Sequence, residues 1–226
     1  TFVGASEIAA VCGVDPWGTA LDVFVNKVLP PSEDLPTTPQ EILAARYKTR
    51  GNLFEPAILA DFEKRTGVQL TRPATLRHPD HPWMAATPDG LASDLLVQVK
   101  RVNARVAAIH WSGLEPPMHV ILQVMQEMAV FKRSRAIVIA VLGTDMLTHD
   151  YEVSFDSEVA EQVTEIGGTF WNRAVLPRNL PLEFDDAPND DTLRRLFPKA
   201  LQDELLPATE EIQKLAAAYT VARDQE

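Results

Sequence analysis

The chain has 226 residues, is 46% apolar and carries a net charge of −11. That length and apolar content describe one globular domain with a real core, and there is no run of about 18 apolar residues that could span a membrane. The acidity argues against a broad electrostatic nucleic-acid surface, but it is local: residues 1–144 carry 14 Lys and Arg against 14 Asp and Glu, whereas residues 145–226 carry 7 against 18. Overall charge governs solubility and long-range steering and leaves open what a local groove binds. The opening Thr1-Phe2-Val3-Gly4 has neither a methionine nor a basic leader, so it reads as a trimmed start without a secretory signal. The one cysteine, Cys12, lies in an Ala/Val-rich stretch, which predicts a buried structural thiol in a reducing cytosol.

Gly4 to Gly13 reads as a short helix, capped by Ser6 or the residue before it and closed by Gly13. A loop, Val14 to Thr19, leads to a second helical pattern over Ala20–Val28 and then to a Pro-rich connector, Leu29 to Pro36. Thr38-Pro39-Gln40-Glu41 has the capping-box form with Pro at the first helical position. This helix is expected to end near Arg50. A further one follows Gly51, with Leu53, Phe54, Ala57, Ile58, Leu59 and Phe62 at helical spacing. Val68–Thr71 reads as a short strand, Trp83–Ala86 leads into a turn, and Leu95–Lys100 is a second strand. His119–Phe131 is a helix with Val120, Val124, Met128 and Phe131 on one face. Ala136–Leu142 is continuously apolar, as a strand covered on both sides must be, and the alternating Leu147–Val153 is its hairpin partner or an edge strand. Glu158–Asn172 and Ala208–Arg223 are helices, with a Pro-rich crossing, Leu176 to Pro188, between them. The sum is an α/β fold with a mixed central sheet flanked by helices.

The chemistry gathers between Thr87 and Lys100. Asp89 sits in Thr87-Pro88-Asp89-Gly90, and Gln98-Val99-Lys100 ends the next apolar strand, a D-x8-Q-x-K pattern. Hydrolysing a phosphodiester takes a nucleophilic water and a shield for charge on the phosphoryl oxygens, and a divalent metal supplies both. Mg²⁺ takes oxygen ligands. Asp89 offers a carboxylate, Gln98 a side-chain oxygen and Val99 a carbonyl, while Glu55 is the natural further carboxylate from a packed helix. Lys100 shares a face with residue 98, because strand side chains alternate, and can orient the attacking water. Spacing alone leaves a blander account open, a turn Asp and a solvated strand-end lysine.

Five segments, the hairpin among them, occur in register. Gly4-Ala5-Ser6-Glu7-Ile8-Ala9 with Gly13-Val14-Asp15-Pro16-Trp17 resembles a "GxSxxAxxxGxxPY" opening. Arg50-Gly51-(x3)-Glu55-Pro56 resembles an "RGxxxEP" helix. Trp83-Met84-Ala85-(x3)-Asp89-Gly90 followed by Gln98-Val99-Lys100 resembles a catalytic hairpin. Pro117-(x5)-Gln123-Val124-Met125-Gln126 resembles a "PxxYxxQVQ" helix, and Phe170-Trp171 with the prolines after it resembles an "FW…PP" region. Over residues 4–185 the chain resembles the lambda-exonuclease/YqaJ-like viral recombinase family of the PD-(D/E)xK nuclease superfamily.

That resemblance implies a restriction-endonuclease-like core over residues 1–185, with 186–226 as a C-terminal helical extension. It implies metal binding by Asp89, residue 98, the Val99 carbonyl and Glu55, with Mg²⁺ the cofactor and Mn²⁺ a substitute, and Lys100 assisting the water. Ser6 and Thr87 match hydroxyls that contact the 5′-phosphate of a DNA end. Gln123 matches a glutamine lining the site, and Arg50 a phosphate contact. For each a structural role stays open: a cap or turn for Ser6 and Thr87, a buried amide bonding the sheet for Gln123, an ion pair for Arg50. The implied activity is a phage-type 5′-to-3′ exonuclease on linear duplex DNA, working as a homotrimer in the bacterial host cytoplasm with a single-strand annealing protein. An endonuclease on the same fold and a non-catalytic DNA-end-binding protein are the alternatives.

Gln98 is the departure, since the family pattern has an acid there. It is explained by an engineered knock-out, by a natural active site (the Mrr-like restriction enzymes use Q-x-K), or by natural silence. Retention of Asp89, Lys100 and Glu55 favours the first two.

Overall fold

The computed structural model describes residues 1–30, 39–143, 147–181, 189–197 and 213–214. Strand β1 (Val3–Gly4) runs into a 3₁₀ turn, Ala5–Glu7, and helix α1 (Ile8–Val11). Neither Ser6 nor Ala5 caps this segment. Glu7 reaches back instead, and its carboxylate accepts the Gly4 N–H at 2.8 Å. Helix α2 (Ala20–Val28) begins with a reciprocal capping box: the Thr19 hydroxyl accepts the Asp22 N–H and the Asp22 carboxylate accepts the Thr19 N–H at 2.8 Å. Cys12 is half-buried against the core, and burial pushes its thiol up to about 11, so it is an inert group.

Helix α3 (Pro39–Thr66) is one helix of 28 residues, so the break expected at Gly51 does not occur. A helical Gly costs only about 1 kcal/mol relative to Ala, and burial of Ile58, Leu59 and Phe62 outweighs that. Val68–Thr71 is not a strand. Glu63 takes the Leu70 N–H at 2.7 Å, which removes a ladder donor, and Thr71 makes only an isolated bridge to Leu91.

A small sheet has the order β1-β3-β2, with β2 (Leu76–Arg77) antiparallel and β1 parallel to β3 (Met84–Ala86). The main sheet joins β4 (Gly90–Leu91), β5 (Leu95–Val102), β6 (Arg135–Leu142) and β7 (Thr148–Ser154) in that order. The central β5–β6 pair is parallel and the outer pairs are antiparallel, so the sheet is mixed as expected. Between β5 and β6 lie α4 (Ala104–His110), which sequence periodicity did not reveal, and α5 (Met118–Phe131). Asn103 caps α4 by accepting the Val106 N–H at 3.0 Å. After β7 come α6 (Ser157–Phe170), a π turn over Trp171–Val175, and α7 (Asp190–Leu196).

Strand alternation assigns the two faces of the sheet. Leu96, Ala136, Val138 and Ala140 pack with Val120, Val124 and Met128 of α5. Leu95, Val97, Ile139 and Val141 pack with Ile58, Leu59 and Phe62 of α3. The site is therefore held between two helices that the sheet fixes from both sides. A third cluster joins α1, α2, α6 and β3. In it α6 comes so close to Trp83 that a Cβ at Gly167 would lie 2.5 Å from the indole. Gly167→Ala should cost about 1–3 kcal/mol through overpacking, read as a lower midpoint in urea at unchanged slope. An unchanged midpoint would mean that the indole yields freely.

Contacts gather Thr1–Leu196 into one compact unit and Phe197–Glu226 into another, and the site lies wholly in the first. Thr38 of the expected capping box, connector residues 31–36, the boundary at 185–186 and most of the helix expected over Ala208–Arg223 lie outside the described residues. Among the described residues no helix is long and apolar enough to cross a membrane.

Candidate active site

The turn before β4 delivers Asp89 to the edge of β5. Gly90 makes this possible, because a Cβ there would meet Leu70 at 3.0 Å and Val97 at 3.4 Å. With Gly90 opposite Val97, Asp89 comes beside Gln98. Its Oδ2 accepts two hydrogen bonds, from Gln98 Nε2 at 2.7 Å and from the Val99 N–H at 2.7 Å. Burial pushes the Asp89 carboxyl up to about 6. The Val99 N–H opposes this, the charge of Glu55 adds to it, and Lys100 and Arg72 oppose it.

Gln98 is 6% exposed, and its Oε1 is buried with no hydrogen-bond partner. An orphaned buried oxygen costs about 1–3 kcal/mol. Glu55 enters from α3 and shares with Asp89, Gln98, Val99, Asn52 and Arg101 a cleft of about 190 Å³. Arg72 lies 3.7 Å from its carboxylate.

Lys100 projects toward α5, on the same face as Gln98, as alternation requires. Its Nζ donates to Gln123 Oε1 at 2.7 Å, and Gln123 Nε2 donates to Glu127 Oε1 at 2.8 Å. Burial lowers the pKa of the Lys100 ammonium, while Glu127, Asp89 and Asp15 raise it. Gln123 does not bond the strands. That role belongs to Gln126, whose amide donates to the carbonyls of Val3 and Ala85 at 3.1 and 3.0 Å.

Ser6, Thr87 and Gln123 line a neighbouring cleft of about 270 Å³, with Lys27, Glu7 and Glu127 also on its walls. Ser6 and Thr87 are exposed, and the Thr87 hydroxyl lies 2.8 Å from that of Thr75. Lys27 is bound by both Glu7 oxygens, at 2.7 and 2.6 Å. Arg50 lies elsewhere, on a groove of α3 with Ile42, Ala45, Arg46 and Thr49.

Eight of the nine candidate residues thus fall in or between two adjoining clefts, and Arg50 does not. Glu127, Arg72, Arg101 and Asn52 were not singled out from the sequence. Glu127 was within reach, because it stands four residues after Gln123, the spacing of helix neighbours. The donors suit a hard cation such as Mg²⁺: the Asp89 and Glu55 carboxylates, the Val99 carbonyl and the partnerless Gln98 Oε1 are all oxygens. Among the described residues no group of three His, Cys, Asp or Glu forms a metal cluster, so the charged ligands offered here are the two carboxylates, with neutral oxygens beside them.

A mixed sheet clasped by helices, with an acid before its hairpin and Gln-x-Lys on the following strand, defines a restriction-endonuclease-like α/β fold. Residues 1–146 match the profile of the YqaJ-like viral recombinase domain, and the chain belongs to that family. An alkaline exonuclease from Laribacter hongkongensis has a similar structure, with a TM-score of 0.61 and 20% identity over 76% of this chain and 87% of that one. The structure of that exonuclease in complex with dAMP aligns at a TM-score of 0.58 and 19% identity, over 76% and 87% of the two chains. A phage-related exonuclease from Haemophilus somnus 129PT has a TM-score of 0.53 at 10% identity, over 76% and 94% of the chains. At these identities the likeness is one of fold. No curated protein matches the sequence.

Proposed function

We propose that the chain is a phage-type, metal-dependent deoxyribonuclease that digests one strand of linear duplex DNA from its 5′ end and leaves a 3′ single-stranded overhang for recombination. The observation that carries this reading is the Asp89–Gln98–Val99 cluster with Lys100 on the same strand. Family membership and the exonuclease fold support it.

Asp89, Gln98 Oε1, the Val99 carbonyl and Glu55 would hold Mg²⁺, with Mn²⁺ as a substitute. When bound, the ion supplies an activated water and a counter-charge for the phosphoryl oxygens. The Val99 N–H and Gln98 Nε2 fix the Asp89 carboxylate from one side. Lys100, placed by Gln123, orients the attacking water and favours its deprotonated form. Ser6 and Thr87 offer hydroxyls to the 5′-phosphate in the adjoining cleft. Arg101, stacked 4.9 Å over Phe54, brings a fixed cation to the metal cleft. Processive digestion calls for a ring around DNA, and family membership suggests a homotrimer in the bacterial host cytoplasm, handing its overhang to a single-strand annealing protein.

One observation favours a second reading. Gln98 already satisfies Asp89 without a metal, which suits a DNA-end-binding protein that does not cut.

Linear duplexes with 5′-phosphate or 5′-hydroxyl ends, and a covalently closed circle, separate these readings in Mg²⁺ and in Mn²⁺. The proposal expects digestion of linear DNA only, at least about tenfold faster from the phosphorylated end, since a charge-assisted contact contributes about 1.5–3 kcal/mol. Cutting of the circle identifies an endonuclease. End binding without hydrolysis in either metal identifies the non-catalytic reading. Indifference to the phosphate returns Ser6 and Thr87 to local structural roles.

A further inference from the structure

Helix α5 buries a carboxyl group that metal-dependent hydrolysis does not itself require. Glu127 is 1% exposed, and its Oε2 has no hydrogen-bond partner. Leaving a buried polar atom unpaired is costly, and an apolar residue of similar volume would avoid the cost. What Glu127 does provide is an acceptor for one particular amide. Its Oε1 takes Gln123 Nε2 at 2.8 Å, and Gln123 Oε1 takes Lys100 Nζ at 2.7 Å.

The two ends of a glutamine amide are alike in shape and opposite in hydrogen bonding. Turned the other way, Gln123 would present its NH₂ to the Lys100 ammonium, donor against donor. Glu127 holds the NH₂ end and leaves only the oxygen for Lys100. The other charged groups nearby do not compete for this role. Lys27, across the adjoining cleft, is tied to Glu7 at 2.6 Å. Asp89, whose charge also reaches Glu127, is engaged by Gln98 and Val99.

We infer that Glu127 is a positioning residue: it sets the orientation of the Gln123 amide and, through it, the place of the Lys100 ammonium. What the ammonium then does rests on the nuclease reading above, but the relay itself does not.

The test uses the full chain with Glu127→Gln, Glu127→Leu, Gln123→Ala and the combined variants, each checked by thermal melting. Competitive trace acetylation, read by mass spectrometry, reports the reactivity of Lys100 against the other lysines without any need for activity. Glu127→Leu should raise Lys100 labelling about fivefold and Gln123→Ala about as much, with the double variant no higher than Gln123→Ala alone, since residues acting in series are non-additive. Glu127→Gln, which can still accept from Gln123, should change it less. Hydrolysis should fall about tenfold in Glu127→Leu, again without further loss in the Gln123→Ala background. Should Glu127→Leu fail to fold, Glu127→Met, unbranched and apolar and unable to accept from Gln123 as an amide oxygen can, closes the same cycle. Unchanged Lys100 labelling, or effects that multiply in the double variant, would overturn the relay. If labelling behaves as expected while no form cleaves DNA, the relay stands and the nuclease reading fails.

Discussion

Gln98→Glu should raise Mg²⁺-dependent hydrolysis of linear duplex DNA by at least about tenfold and, in the absence of metal, make the protein less stable. Both effects follow from one contact. Gln98 Nε2 now donates to Asp89 Oδ2 at 2.7 Å. A glutamate there replaces that bond by two carboxylates facing each other, so one must hold a proton or the pair must repel. Loss of a hydrogen bond to a charged group costs about 1.5–3 kcal/mol, so thermal melts in chelator should fall by several degrees. A divalent cation between the two acids reverses the penalty and supplies the transition-state charge that an amide cannot.

Mg²⁺ should therefore raise the melting temperature of Gln98→Glu protein much more than that of the parent. Equal rates in the two forms, or cleavage by neither, would remove position 98 as the limit on chemistry. Equal Mg²⁺ shifts would show that residue 98 does not touch the ion. The same contact bears on the parent chain. The amide holds the Asp89 carboxylate in place before any metal arrives, and leaves Gln98 Oε1 as the one oxygen at this position still to be satisfied.

Much of this was legible in the sequence because the relevant signals are local. The apolar run of β6, the alternation that sets Gln98 and Lys100 on one face, and the Pro-Asp-Gly turn before β4 each reveal themselves within a few residues. What the sequence concealed depends on contacts far along the chain. Gly51 resembles a helix stop, yet α3 continues through it because Ile58, Leu59 and Phe62 meet β5 and β6. Val68–Thr71 has strand character, yet Glu63 takes one of its backbone donors. Glu127 stands one helical turn after Gln123 and could have been paired with it on spacing, but its tie to Lys100 became visible only when β5 and α5 met. Arg50 shows the converse: its motif placed it with the site, and the geometry of α3 sets it on a different groove.

Asp89→Asn should abolish hydrolysis, by about a thousandfold or more if the carboxylate is the principal metal ligand, and yet stabilise the metal-free protein at alkaline pH. The carboxyl is raised from 3.8 to about 6, so the folded protein holds this proton more tightly than the unfolded chain. Its contribution is fully present below about pH 4 and is lost as pH rises through about 6. Above that, keeping the ionised group buried costs about 3 kcal/mol by linkage. Asparagine keeps an oxygen for Gln98 Nε2 and the Val99 N–H but never ionises. In chelator the Asn form should melt about 3–6 °C above the parent at pH 8, from recovery of part of that cost, and level with it at pH 4. The activity of the parent should climb with pH through about 6, as Asp89 loses its proton and becomes able to take a cation. An Asn form that melts lower at pH 8 than at pH 4, relative to the parent, would mean that the hydrogen bonds to the ionised carboxylate outweigh its desolvation. An Asn form that still cleaves would place the chemistry elsewhere than the turn before β4.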